Sequence, residues 1–398
     1  MFRKVRAALK LIASLFLNLL ALPIVLLVVA LRPFVLVRFG TLISKRIGHF
    51  AADTEAYLCA RDRVPIRSRI VDFIGCPEPV CNHQLYKMFR RTIHIAPFWR
   101  LWNIIDRACL FFTHTDTHHV KLYDRNEDYK YRIGTEPHLS FTDEERELGW
   151  KLLLKMGVPV GSKWVCIHNR DSSYIDKTFG GRSEYHDYRD FSIQSMMLAA
   201  EELSRRGYYV FRVGSVVAEK LVSDNPKIID YASSSFRCDF LDVYLLGNST
   251  FHLGCDSGIS CVPMIFRQTV GLTNFSLLSA LRYMYSPFIY KRMWHKNKGR
   301  FLSMREIFES GLSYANKSYQ YKRADVELIC NSPQEILDFA VEIEDRLQGR
   351  WEENPEDEVL QKQFWNLYRQ FVPSAVQGGN DHFRIGAAYL RKHIDLLN

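Results

Sequence analysis

The hydrophobic pattern of this chain begins with one long apolar block and then breaks into short strand-length and helix-length pieces. Leu11–Leu31 is a 21-residue run without a charge, interrupted by Asn18 and Pro23. At about 1.5 Å rise per residue it can just cross about 30 Å of hydrocarbon. It is long for the apolar part of a cleaved leader, and no small-residue cleavage box follows it. Residues 1–33 therefore read as a membrane anchor. A helix that spans and a hairpin that re-enters by bending at Pro23 both fit, because proline breaks the helical ladder there.

After the anchor, Phe34–Arg38 has the look of a strand, Gly40 and Gly48 punctuate, and residues 47–60 suit a helix carrying His49, Asp53 and Glu55. Residues 61–137 contain aromatic, basic stretches (98–102 and 123–131) and complete a smaller α/β half, 34–140. The aromatic and basic residues of 84–102 fit either a helix at lipid-headgroup level or an ordinary core helix with charged edges.

From 141 to 345 the pattern is more regular. Thr142…Glu145, Ser303…Glu306 and Ser332…Glu335 are capping boxes that open helices. Strands are expected at 164–168, 208–213, 227–231, 250–253 and 270–273, with helices at 192–206, 216–223 and 239–246 between them. Strands alternating with helices imply a parallel sheet covered on both faces, and hence a second Rossmann-like domain. Residues 346–398 read as a polar connector and a helical tail, at 358–371 and 382–397, expected to pack back on the first domain.

Charge sharpens this picture. The net charge is +9, yet Arg3, Lys4, Arg6, Lys10, Arg32, Arg38, Lys45 and Arg46 all fall in the first fifty residues, with no acid among them. The remainder is nearly neutral, so no basic stripe suggests nucleic acid. Cations flanking an apolar run suit anionic lipid headgroups instead. Four precede the run and four follow it, so they assign no orientation. Nine cysteines, an odd number without a CxxC pair, suggest reduced thiols in the cytosol. Cys76, Cys81 and His83 lack a fourth ligand at zinc-site spacing.

Candidate chemistry gathers where the expected strands end. His168-Asn-Arg170-Asp171 closes the first strand of the second half. Tyr185-His-Asp-Tyr-Arg189-Asp190 follows on the loop before the next helix, Arg212 lies in the second strand, and Arg237 and Asp239 begin a helix. Asp256-Ser257-Gly258 joins a strand to a helix. Arginine forks match phosphate oxygens, and a helix N-terminus offers N–H donors to an anion. Together they suit a diphosphate. Neither G-x-G-x-x-G nor G-x-x-x-x-G-K-[ST] occurs, which removes support for a nicotinamide or flavin domain and a P-loop. Asp-x-Asp is absent too, so arginines rather than a metal are expected to neutralise a leaving diphosphate.

At these residues the chain resembles a bacterial family of glycosyltransferase-like proteins encoded with cell-surface polysaccharide genes. The resemblance rests on Arg46-Ile-Gly-His49 through Glu55, His168–Tyr174, Tyr185–Arg189, Ile228–Ala232 with Arg237-Cys-Asp239, and Gly254–Gly258 through Phe266. It implies a GT-B-like α/β fold, two facing Rossmann-like domains, with the nucleotide-sugar in the second and the acceptor in the first. His168-x-Arg170 is also similar to the phosphate-gripping motif of the fucosyltransferase group, although Asp171 follows Arg170 without that group's inserted residue. The resemblance implies donor binding by His168, Arg170, Asp171, Arg189, Arg212, Arg237, Asp256, Ser257 and Gly258. It implies a general base among His49, Asp53 and Glu55, and no cofactor beyond the donor. A lipid-linked or polysaccharide acceptor at the cytosolic face of the inner membrane is expected. A nucleotide-sugar epimerase or hydrolase and a non-catalytic polysaccharide-assembly protein are the alternatives.

Overall fold

The computed structural model describes residues 2–63, 69–120, 122, 134–171, 187–281, 286–372 and 384–397, with side chains from residue 12 onward. The stretch at 123–131 and the motif residues Tyr174, Tyr185 and His186 lie outside the described residues. The chain is mixed α/β and divides into two compact units, Met1–Ser140 and Phe141–Asn398.

The first unit opens with α1, Phe2–Leu31, which runs unbroken through Pro23. The re-entrant hairpin is thus replaced by one continuous helix. Its segment Ile12–Leu31 has a mean hydropathy of 2.7 and by length and composition is able to cross a membrane. One stripe of it, Asn18, Ala21, Val25 and Val28, is buried, at the spacing that puts residues on one helical face. Ala21, Val25 and Val28 cluster with Val37 and Phe39 of β1 and with Ile105, Ala108 and Cys109 further along the chain. β1, Leu36–Thr41, pairs in parallel with β2, Ile70–Gly75. Between them lies α2, Ile47–Asp62, and after them come α3, His83–Thr92, and α4, Trp99–Thr113. Trp102 of α4 stacks on Phe73 and Phe39, with ring centroids 4.7 and 6.1 Å away. The aromatic residues at 98–102 thus divide between core and surface: Phe98 is exposed, whereas Trp102 packs on the sheet.

In the second unit Thr142 caps α5, Asp143–Lys155, with both capping-box bonds formed. A six-stranded parallel sheet follows: β3 Trp164–Ile167, β4 Tyr209–Arg212, β5 Ile228–Ile229, β6 Phe251–Gly254, β7 Thr269–Phe275 and β8 Phe288–Tyr290. Its order is β5-β4-β3-β6-β7-β8, every pair parallel. The order runs outward in both directions from β3 and β6, so the topology reverses between those two strands. A separate antiparallel sheet, β10-β9-β11, joins β9 Arg292–His295, β10 Arg300–Phe301 and β11 Val326–Ile329.

Two expectations about this unit need correction. Residues 216–223 form no helix. Asp171 Oδ2 accepts the Ala218 N–H at 3.0 Å and Asp230 Oδ2 the Leu221 N–H at 3.1 Å. Side-chain carboxylates thereby take donors that a helix would have used. The described C-terminal helices, expected to pack on the first domain, belong to the second unit's own core. α12, Pro355–Phe371, buries Leu360, Phe364, Trp365, Leu367 and Tyr368 in the core of the second. In α13, Ala387–Lys392, the Tyr389 hydroxyl donates to the Tyr290 carbonyl at 2.6 Å. Five large apolar side chains on one helix are too much surface to leave wet. The remaining helices used below are α6 Met197–Arg205, α7 Asp239–Gly247, α8 Cys261–Ile265, α9 Met304–Glu309, α10 Ser318–Arg323 and α11 Pro333–Leu347.

Candidate functional site

The carboxyl ends of β3 and β6 adjoin at the reversal point, and the residues leaving them meet. His168 follows β3. Its Nδ1 lies 3.0 Å from the Val213 carbonyl and its Nε2 lies 3.2 Å from Ser257 Oγ, beyond β6. A carbonyl only accepts, so Nδ1 carries the proton and Ser257 donates to Nε2. Burial lowers the His168 pKa to about 4, helped by the Arg212 and Arg170 charges and opposed by the Val213 bond. His168 is therefore a neutral brace across the switch point. The Ser257 proton, expected to serve a phosphate, is committed to this brace.

Cations crowd the same edge. Arg170, buried, donates to the Asp190 carboxylate. Lys291, leaving β8, is also buried, and its Nζ donates to the carbonyls of Tyr188 at 3.0 Å and Asp190 at 2.8 Å. Arg189 Nη1 donates to the Asp256 carbonyl at 3.0 Å, and Ser276 Oγ donates to Asp256 Oδ2 at 3.4 Å. Burial raises the Asp256 carboxyl, against the pull of Arg189, Lys291 and Arg170. Asp190 is pushed up to about 6 by burial, against Arg170 and Lys291. Arg189 Nε and Asp256 Oδ1 are buried without a hydrogen-bond partner among the described residues. Arg189 Nε is a donor, and an orphaned donor beside clustered cations is what an anionic ligand satisfies, whereas Asp256 Oδ1 is an acceptor.

Backbone shape permits this crowding. A Cβ on Gly254 would lie 2.3 Å from His252 Nε2 and 3.0 Å from Ser260 Oγ, so only glycine lets the chain leave β6 there. The helix mouth expected at Asp256–Gly258 is slight. A 3₁₀ turn, Gly258–Ser260, leads into the five residues of α8, and so short a helix sums little dipole.

Not every candidate joins the group. Arg212 is fully buried; it donates to Asp230 Oδ1 at 3.1 Å and Asn169 Oδ1 at 3.3 Å, tying the ends of β3 and β5 together beneath the site. Arg237 pairs with Asp242 of α7 at 3.0 Å. Asp171 holds the 218 backbone, as described above. Sequence reasoning missed Lys291 and Ser276. Each is the first polar residue after a buried strand, and that position was the signal that could have found them.

In the first unit, His49 Nδ1 lies 2.9 Å from Asp53 Oδ2, one turn apart on α2. Glu55, two residues beyond Asp53, points about 200° further round the helix and is fully buried. Its Oε1 meets His138 Nδ1 at 2.9 Å. His49 and Asp53 thus act as a pair, and Glu55 stands apart from them.

No family model matches this chain, and no curated protein matches it. Among solved structures it is similar to E. coli ADP-heptose LPS heptosyltransferase II. That likeness has a TM-score of 0.30 and 12% identity over 59% of this chain and 84% of that one. Such an overlap is too loose to define a shared fold.

Proposed function

We propose that the second unit binds the diphosphate of a nucleotide-activated sugar at the carboxyl ends of β3 and β6, and that the chain is a glycosyltransferase. One observation carries this reading. Arg170 and Arg189, both from the connection that follows β3, and Lys291, from the connection that follows β8, gather around Asp190 and Asp256 at the point where the strand order reverses. Crevices at such points bind nucleotides in open α/β sheets. Fixed cations stabilise a leaving diphosphate because they need no reorganisation as its charge develops.

In this reading the guanidinium groups of Arg170 and Arg189 grip the phosphate oxygens, Arg189 through the Nε that has no partner among the described residues. His168 and Arg212 act as positioning residues. His49 is the general base on an acceptor hydroxyl: Asp53 accepts from Nδ1 and makes Nε2 the basic nitrogen. The apolar α1 suits an acceptor held at a membrane, a lipid-linked or polysaccharide glycan on the cytosolic side. The donor sugar supplies the chemistry and no further cofactor is invoked.

The test is binding of a nucleotide-sugar panel to the full chain in detergent, with transfer measured on isolated membrane lipid. Arg170→Ala and Arg189→Ala should each weaken donor binding by about 10- to 100-fold, the worth of a charge-assisted contact of about 1.5–3 kcal/mol. His49→Gln should cut turnover while leaving donor affinity intact. Unchanged donor binding in both arginine variants would refute the assignment.

A further inference from the structure

α2 carries a second constellation, on the face away from His49. Glu55, Cys59 and Asp62 follow one another at intervals of four and three residues, so they form one stripe along the helix. Glu55 and Cys59 are fully buried. His138 comes to this stripe from far along the chain, its Nδ1 2.9 Å from Glu55 Oε1. Cys59 Sγ lies 3.7 Å from the same oxygen, and one ligand atom from each of Glu55, Cys59 and His138 falls within 4.8 Å of the others.

We propose that Glu55, Cys59 and His138 form a binding site for a divalent transition metal of the zinc class. Around tetrahedral zinc, with bonds of about 2.0–2.3 Å, neighbouring ligand atoms stand about 3.3–3.6 Å apart. The observed separations of 2.9 and 3.7 Å bracket that range, so shifts of a few tenths of an ångström seat the ion. Thiolate, imidazole and carboxylate together favour zinc over the hard cations, which take oxygen ligands.

Asp62 is the second, independent sign. Its Oδ2 lies 2.8 Å from His138 Nε2, so it fixes the ring with Nδ1 turned toward Glu55 and Cys59. Metal-bound histidines commonly give their remote N–H to a carboxylate in this way. Three protein ligands leave one position to water. On binding, the thiol and any proton on Nδ1 pass to solvent, and the ion pins the segment bearing His138 to α2. This site is separate from the donor site of the second unit and does not depend on it.

The experiment is titration of the chelator-treated full chain in detergent with cobalt(II) chloride, followed by absorption, alongside zinc content of protein purified without chelator. One equivalent of metal should bind, with tetrahedral d–d bands and a thiolate-to-cobalt charge-transfer band. Cys59→Ser should abolish that charge-transfer band, whereas Cys238→Ser, at an exposed cysteine, should leave it. Should Cys59→Ser fail to fold, Asp62→Asn decides. Asp62 is more than half exposed, so the variant should keep its fold and bind cobalt about 10- to 100-fold more weakly. Less than one equivalent of bound metal, a band that survives Cys59→Ser, or unchanged affinity in Asp62→Asn would overturn the proposal.

Discussion

Asp190 is the residue through which pH should act on the donor site. Its carboxyl pairs with Arg170 and is pushed up to about 6 by burial. Above that pH it is an anion and competes with a diphosphate for the guanidinium. Below it the carboxyl takes a proton, Arg170 is released, and the site gains one unit of positive charge. The diphosphate diester of a nucleotide-sugar keeps both charges across this range. Donor affinity is therefore expected to rise several-fold as pH falls from 7.5 to 5.5. Asp190→Asn should bind tightly at both ends of the range, giving a flat profile by calorimetry. A profile in the wild-type chain that falls on acidification would contradict the role of this pair. At this scale the sequence was informative about residue types and weak about partners. Arg170, Arg189 and Asp256 stand out as polar groups after apolar runs. That Arg170 meets Asp190, or Glu55 meets His138 across 83 positions, depends on how the chain closes, which no local pattern encodes.

At the scale of elements, legibility followed the strength of local signals. The three capping boxes each form as their spacing predicts, because that motif is local chemistry between residues three apart. β3 and β6 were visible as apolar runs closed by polar residues. β8 was not, being only three residues long, and with it went Lys291. The helix expected at 216–223 failed because distant carboxylates claimed its backbone donors. Close helix packing is another feature that composition hides. Gly149 sits inside α5, where alanine would ordinarily gain about 0.5–1 kcal/mol. Here a Cβ would lie 2.1 Å from the Tyr244 ring carbon Cζ on α7, so the sign inverts. Gly149→Ala is expected to destabilise the second unit by about 1–3 kcal/mol, read as a lowered unfolding midpoint. Adding Tyr244→Leu should recover part of that loss, the coupling expected of touching residues. A stabilised Gly149→Ala would show that α5 and α7 are not in such contact.

For the molecule as a whole, the apolar helix is tied to the folded first unit. Its length and lack of charge were plain in the sequence. Its attachment was not, because a stripe of Asn18, Ala21, Val25 and Val28 is no more apolar than its neighbours. Those residues are buried, while Leu26 and Leu27 between them are 61% and 58% exposed. α1 is thus part of the core of the first unit along one face and leaves its other, apolar face exposed. A tethered helix joined by a linker would behave differently, since either face would then be equivalent. Two pairs of substitutions separate the cases. Val25→Asp and Val28→Asp place a charge in the packed interior and should cost at least about 2 kcal/mol each, seen as an early unfolding step of the full chain in detergent. If α1 anchors the chain by its exposed face, Leu26→Asp and Leu27→Asp should leave that step in place and weaken flotation with anionic vesicles, because each removes apolar surface from that face. Equal effects of the two pairs on both measurements would mean that α1 is an appendage, and that its packing against β1 and α4 does not hold in solution.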